Sequence, residues 1–229
     1  VSVGVAAYNG SGVATFNVAG LVDGVTYSFT AKSLDAATNI SVASAAVSIT
    51  YDVTAPLLSP SITTPAGSQN TGTIVVASNG DPTSVKAELF KDGVSVGFVN
   101  SDCSGDATFN VSGLVSGTTY VFTATSLDSA GNSSVVSGGV SITYDTTVPD
   151  APSISTPAGT YNTTDVTVAR GSDTTALSAQ LFKDGVLFGT IAYDGSGNAT
   201  VSVTGMVSGT TYSFTAKSRD VALNLAVAS

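Results

Sequence analysis

One segment occurs three times. GLVDGVTYSFTAKSLD, from Gly20 to Asp35, returns as GLVSGTTYVFTATSLD (Gly113 to Asp128) and as GMVSGTTYSFTAKSRD (Gly205 to Asp220). The tyrosines Tyr27, Tyr120 and Tyr212 mark the period, lying 93 and 92 residues apart. Two further markers keep the same spacing: LFKDGV at Leu89 to Val94 and Leu181 to Val186, and VSITYD at Val47 to Asp52 and Val140 to Asp145. A unit of this length is longer than most solenoid repeats and matches an independent sandwich domain of about 100 residues. The chain therefore reads as beads on a string. Residues 1–52 align with the second half of a unit, 53–145 form a complete unit, and 146–229 form a unit without its last strand. That frame leads to the expectation that the 229 residues are a window on a longer array.

Inside the complete unit, short β-rich runs alternate with turn signals, and no helical periodicity is sustained. Strands are predicted near Ser61 to Thr64, Thr73 to Ser78, Val85 to Lys91, Val94 to Asn100, Ala107 to Val111, Thr119 to Leu127 and Gly139 to Tyr144. In the sixth, Tyr120, Phe122 and Ala124 alternate with Val121, Thr123 and Thr125, which places the aromatic set on one, inward, face. Lys91-Asp92-Gly93 and Lys183-Asp184-Gly185 mark tight hairpins, because Asp-Gly supplies the positive φ they need. The predicted fold class is all-β: tandem seven-stranded immunoglobulin-like β-sandwich domains.

Composition narrows the function. Hydrophobic residues make up 42%, enough for packed cores, but only 10% are charged, against about 25% in ordinary soluble domains. Net charge is −9 with 7 Lys and Arg, so phosphate backbones are repelled and nucleic acid is not an expected partner. No apolar run is long enough to span a bilayer. There is no histidine and a single cysteine, so acid–base and thiol catalysis have little to draw on, and a non-enzymatic role is expected. Cys103 has no intrachain partner; it is either a tolerated surface thiol or a possible interchain crosslink.

The stretch Gly113 to Tyr120 resembles the tyrosine corner of fibronectin type III and related sandwiches, which implies structural roles for Tyr27, Tyr120 and Tyr212. Together with SLDSAGNSS (Ser126 to Ser134) and ITYDTTVPDAP (Ile142 to Pro152), the chain resembles the bacterial immunoglobulin-like repeats of large surface adhesins and biofilm-associated proteins. That resemblance implies an extracellular or cell-surface stalk, with neighbouring repeats of the same chain as its partners. Two alternatives stand beside it: a subunit of an extracellular filament, sheath or surface layer, built by lateral self-association, and an accessory module of a secreted glycan-degrading enzyme. The Pro-bearing linkers, Asp52 to Pro60 and Asp145 to Pro152, are expected to restrict the joints.

Calcium is the one cofactor the resemblance suggests, through oxygen ligands at Asp128, Asn132 and Asp145. The competing reading is that Asp128 to Asn132 is a loop of ordinary Asx turns and that Asp145 opens a linker. Asn39 and Asn224 align with Asn132, but Thr38 and Leu223 stand where the middle copy has Gly131. Asp194 to Asn198 reads as a glycine-rich hairpin or an ion loop. Tyr8, Phe98, Phe188 and Tyr193 read as sandwich caps or as surfaces for stacking on sugars.

Overall fold

The computed structural model describes all residues 1–229 and is all-β. No helix in it is long and apolar enough to cross a membrane. Residues 53–145 build two facing sheets. One holds β3 (Ser61–Ile62), β5 (Thr73–Ala77) and β8 (Asp106–Asn110), in that order. The other runs β4 (Gly67–Gln69), β10 (Val140–Tyr144), β9 (Thr118–Leu127), β6 (Lys86–Lys91), β7 (Val94–Asn100). Every pairing is antiparallel except that of β4 with β10. This short parallel strand was not foreseen: Gly-Ser-Gln carries no β-branched or aromatic residue, and it is held by its neighbour's backbone.

Period-two alternation makes the core. Ile74 and Val76 of β5, Ala107 and Phe109 of β8, Ala87 and Leu89 of β6, Tyr120, Phe122 and Ala124 of β9, and Ile142 of β10 close one apolar cluster. Burying each of the larger of these, such as Ile74, Leu89 or Phe122, contributes roughly 1.5–3 kcal/mol. Residues 146–229 repeat the plan with β11 (Ser153–Ile154), β12 (Asp165–Ala169) and β15 (Asn198–Ser202) in one sheet. The facing sheet holds β14 (Val186–Ala192), β13 (Ser178–Lys183) and β16 (Phe214–Arg219). Their separate core includes Val168, Leu181, Val203 and Ala216.

Residues 1–52 contribute the hairpin β1 (Val25–Phe29) and β2 (Val47–Tyr51). No sheet of the chain faces it, so Ile49 is 53% exposed where its counterpart Ile142 is 3% exposed.

Local chemistry sets the turns. At the β6–β7 hairpin Asp92 has φ 51° and Gly93 φ 80°, the pair of positive values that an Asp-Gly turn requires. The Asp92 carboxylate then accepts the backbone N–H of Val121 on β9 at 2.8 Å, which fixes the hairpin to the next strand. Asp184 repeats this with Ser213 at 2.9 Å.

In every copy the tyrosine hydroxyl accepts a backbone N–H five residues upstream: Val22 to Tyr27 at 2.8 Å, Val115 to Tyr120 at 3.0 Å, Val207 to Tyr212 at 2.9 Å. A second recurrent feature carries no sequence signature that was read. The strand bearing the tyrosine is continued by serines: Ser134 and Ser137 accept the N–H groups of Ser126 and Ala124, while their own N–H groups donate to the carbonyls of the same residues.

Candidate functional site: the joints between repeats

A recurrent set of polar side chains binds the linker where one repeat meets the next. At the first joint the linker leaving β2 is gripped from behind. Gly24 donates to the Tyr51 carbonyl at 2.8 Å, and the Asp23 carboxylate accepts the Val53 N–H at 2.7 Å and the Thr54 hydroxyl. It is gripped equally from ahead. Asn132 Nδ2 donates to the Asp52 carbonyl at 3.2 Å, Asp81 accepts the Leu58 N–H at 2.9 Å, and Asn79 Nδ2 donates to the Ser59 carbonyl at 2.7 Å. Pro56 and Pro60 are buried, which removes the φ freedom that the linker would otherwise have.

The second joint reproduces the first. Gly117 donates to the Tyr144 carbonyl at 2.8 Å, and Ser116, in the place of Asp23, accepts the Thr146 N–H at 3.0 Å. Asn224 Nδ2 reaches the carbonyls of Asp145 at 2.9 Å and Thr147 at 3.3 Å. Asp173 accepts the Asp150 N–H at 2.7 Å, and Pro149 and Pro152 are buried. Two joints of the same design, one period apart, amount to a recurrent part.

The amide that reaches across each joint is aimed by an aspartate four residues before it. Asp128 accepts the N–H groups of Gly131 (2.7 Å) and Asn132 (2.9 Å) on one oxygen and Asn132 Nδ2 (2.9 Å) on the other. Asp220 and Asn224 make the same pair of contacts at 2.8 and 2.9 Å, and Asp35 with Asn39 at 2.8 and 2.8 Å. Gly131, Thr38 and Leu223 all take positive φ, 94°, 68° and 73°. The substitutions at this position therefore leave the loop shape intact and place strain in it instead.

Carboxyl acidity follows the same contacts. Asp81 is held down from 3.8 to about 2, chiefly by the Leu58 N–H across the joint and then by the hydroxyl and N–H of Thr83. For Asp128 and Asp173, burial pushes upward, but hydrogen bonds outweigh it and both carboxyls end below the ordinary range. The donors are Asn132 and Gly131 in the first case and Thr175 and Asp150 in the second.

The residues named for calcium do not meet. Asp128 and Asn132 lie together at the joint with the preceding repeat, but Asp145 lies at the opposite pole. β10 runs back antiparallel to β9, pairing Tyr144 with Thr118, so the ten residues of β9, roughly 33 Å at 3.3 Å each, separate the two aspartates. A cleft of about 430 Å³ at the first joint is lined by Asp52, Asp81 and Asp128 among others, yet the oxygens of Asp81 and Asp128 are directed at N–H and O–H donors. No group of three His, Cys, Asp or Glu is placed to hold a metal ion.

The other candidates are scattered. Cys103 is exposed in the β7–β8 turn. Tyr8 and Tyr193 direct their hydroxyls to Ser33 and Ser218 at 2.6 and 2.9 Å, as caps do. Phe98 is 57% exposed under Lys86, and Phe188 is partly exposed. Asp81, Asn79 and Asp23 were missed by sequence reading, because their partners belong to the linker and their role appears only when two repeats are placed end to end.

No family model matches the chain. Exoglucanase B of Cellulomonas fimi is 31% identical over 225 residues, covering 94% of this chain and 20% of that protein. Chitinase A1 of Niallia circulans is 31% identical over 147 residues, covering 59% of this chain and 20% of that protein. The chain thus spans about a fifth of the length of the curated relatives it matches. Among solved structures, fibronectin(III)-like modules of Clostridium thermocellum CbhA superpose with a TM-score of 0.54 at 11% identity, covering 74% of this chain and 90% of that one. The FN1–FN3 domains of chicken CNTN1 give 0.51 at 10% identity, covering 93% and 76%. The fold defines a tandem array of fibronectin type III-like β-sandwiches. As such an array, the chain is not itself an enzyme.

Proposed function

We propose that this array is the spacer of a secreted bacterial glycan-degrading enzyme, setting the distance and orientation between the modules it joins. The observation that carries the reading is the duplicated joint, in which Asp81 and Asn132, then Asp173 and Asn224, fasten each linker to the repeat that follows. A flexible tether needs no such contacts, whereas a spacer that fixes orientation does. The likeness to an exoglucanase and a chitinase supports both the extracellular location and the accessory role above the cell-surface adhesin stalk that the sequence first suggested. The same mechanics would serve such a stalk, but both curated relatives are named for glycan-cleaving activities.

Lateral assembly into fibres is the weaker alternative. The β7 edge exposes Val94, Val96 and Phe98 without charge, but a net charge of −9 sets copies against one another. Small-angle scattering of the chain tests the spacer directly: the expected result is a concentration-independent, extended particle with one narrow set of dimensions. A broad distribution typical of loosely tethered beads would refute it. Reading the gene on either side separates the hosts, since a glycan-cleaving catalytic module is expected and an uninterrupted run of further repeats ending in a wall anchor would favour the stalk.

A further inference from the structure

The chain contains two Asn-Gly pairs, Asn9-Gly10 and Asn79-Gly80, and the fold treats them oppositely. Asn9 opens an exposed turn, where its Oδ1 accepts two backbone N–H groups, from Ser11 at 3.0 Å and Val13 at 2.9 Å. Its Nδ2 has no partner, and neither does the backbone N–H of Gly10. Asn79 sits at φ 57° with both ends of its amide engaged: Nδ2 donates to the Ser59 carbonyl at 2.7 Å and Oδ1 accepts the Ser61 hydroxyl at 2.7 Å.

The geometry points to Asn9 as a site of spontaneous covalent modification, deamidation through a cyclic imide, from which Asn79 is protected. The Gly10 nitrogen attacks Asn9 Cγ and gives its proton to solvent. Negative charge then develops on Oδ1, where the Ser11 and Val13 N–H groups already point, an arrangement that stabilises such an oxyanion. Nδ2, open to solvent, takes up a proton from water; the carbonyl at Oδ1 then re-forms as the Cγ–Nδ2 bond breaks, and ammonia leaves from the free side of the amide. Water then opens the five-membered imide to an α-linked aspartate or a β-linked isoaspartate.

The sister loops show that the first product is accommodated. Asp102 accepts the N–H groups of Ser104 and Asp106 at 2.8 and 3.0 Å, and Asp194 those of Ser196 and Asn198 at 2.8 and 2.9 Å, the same two bonds in each case. The second product inserts a backbone carbon and loses them. At Asn79 the leaving nitrogen is bound to the Ser59 carbonyl, so ammonia can depart only after that bond to the linker is broken.

Peptide mapping by mass spectrometry after incubation in warm, mildly alkaline buffer tests this, with enzymatic methylation detecting isoaspartate. In the folded chain Asn9 is expected to convert about two- to tenfold faster than Asn79, the factor set by the one hydrogen bond of ordinary strength that holds the Asn79 Nδ2. In urea the two rates should converge, since the protection is structural. A Cβ added at Gly10 meets nothing within 4 Å, so Gly10→Ala should leave the fold intact and slow conversion at Asn9 several-fold. Equal rates in the folded chain, a gap that persists in urea, or a Gly10→Ala chain that converts as fast as the parent would each overturn the assignment.

Discussion

Replacing Asn224 by alanine tests whether the joint is held by side chains. The residue is 8% exposed, and its amide serves the Asp145 and Thr147 carbonyls across the joint together with the Asp220 carboxylate, itself 5% exposed. Two amide hydrogens feed three acceptors, so one charge-assisted and one neutral hydrogen bond are lost. At about 1.5–3 and 0.5–1.5 kcal/mol, the sum is about 2–4.5 kcal/mol. The backbone N–H of residue 224 still reaches Asp220 at 2.8 Å, which keeps the loop in place. For a unit of this size each kcal/mol moves the midpoint by about 4–8 °C, so the transition of the third repeat should fall by on the order of 10 °C or more in scanning calorimetry, while the middle repeat stays put. Scattering of the same variant should show a wider spread of interrepeat angles at temperatures where both repeats are folded. An unchanged midpoint would refute the energetic claim. A lowered midpoint with unchanged scattering would refute the mechanical one, because Asn224 would then be securing its own loop and not the joint.

Three further outcomes are expected. Because the Asp81 carboxyl is depressed from 3.8 to about 2 by bonds made in the folded chain, its contribution is complete above the ordinary value and disappears as pH falls to about 2; the protection of the Leu58 amide, its exchange rate relative to that of an unstructured amide at the same pH, should be constant near neutrality and fall across that acid window, and a constant protection throughout would contradict the assignment. Melting curves in calcium and in chelator should coincide, since Asp128 already satisfies Gly131 and Asn132, and a calcium-dependent rise in midpoint would restore the cation reading. Leu223→Gly should stabilise the third repeat by up to about 1 kcal/mol in a denaturant titration: the side chain is largely exposed and φ is 73°, so the left-handed penalty relieved exceeds the backbone entropy lost, and destabilisation would show that Leu223 packs usefully.

What could be read in the sequence is what one repeat determines by itself. Tyr120, Phe122 and Ala124 alternate within one strand, Asp92-Gly93 dictates its own turn, and Tyr120 finds Val115 five residues away. Each of these relations is local or recurs at the period, so the aligned copies expose it. β4 escaped because Gly67, Ser68 and Gln69 contribute only backbone, and backbone pairing leaves no trace in side-chain pattern. The joint escaped for a different reason. Asn132 and Asp52 are 80 residues apart, and aligning repeats compares Asn132 with Asn224 but never with the linker it touches. The grouping of Asp145 with Asp128 came from the resemblance to adhesin repeats and not from the residues themselves, and only the antiparallel return of β10 along β9 shows that they serve different joints. Thr38 and Leu223 looked like departures from the loop pattern because a left-handed position favours glycine. The N–H acceptance by Asp35 and Asp220 is strong enough to impose that conformation on residues that resist it. The fold is therefore determined at two ranges: what recurs at the period builds the sandwich, and the few side chains that reach past the period determine how one sandwich stands on the next.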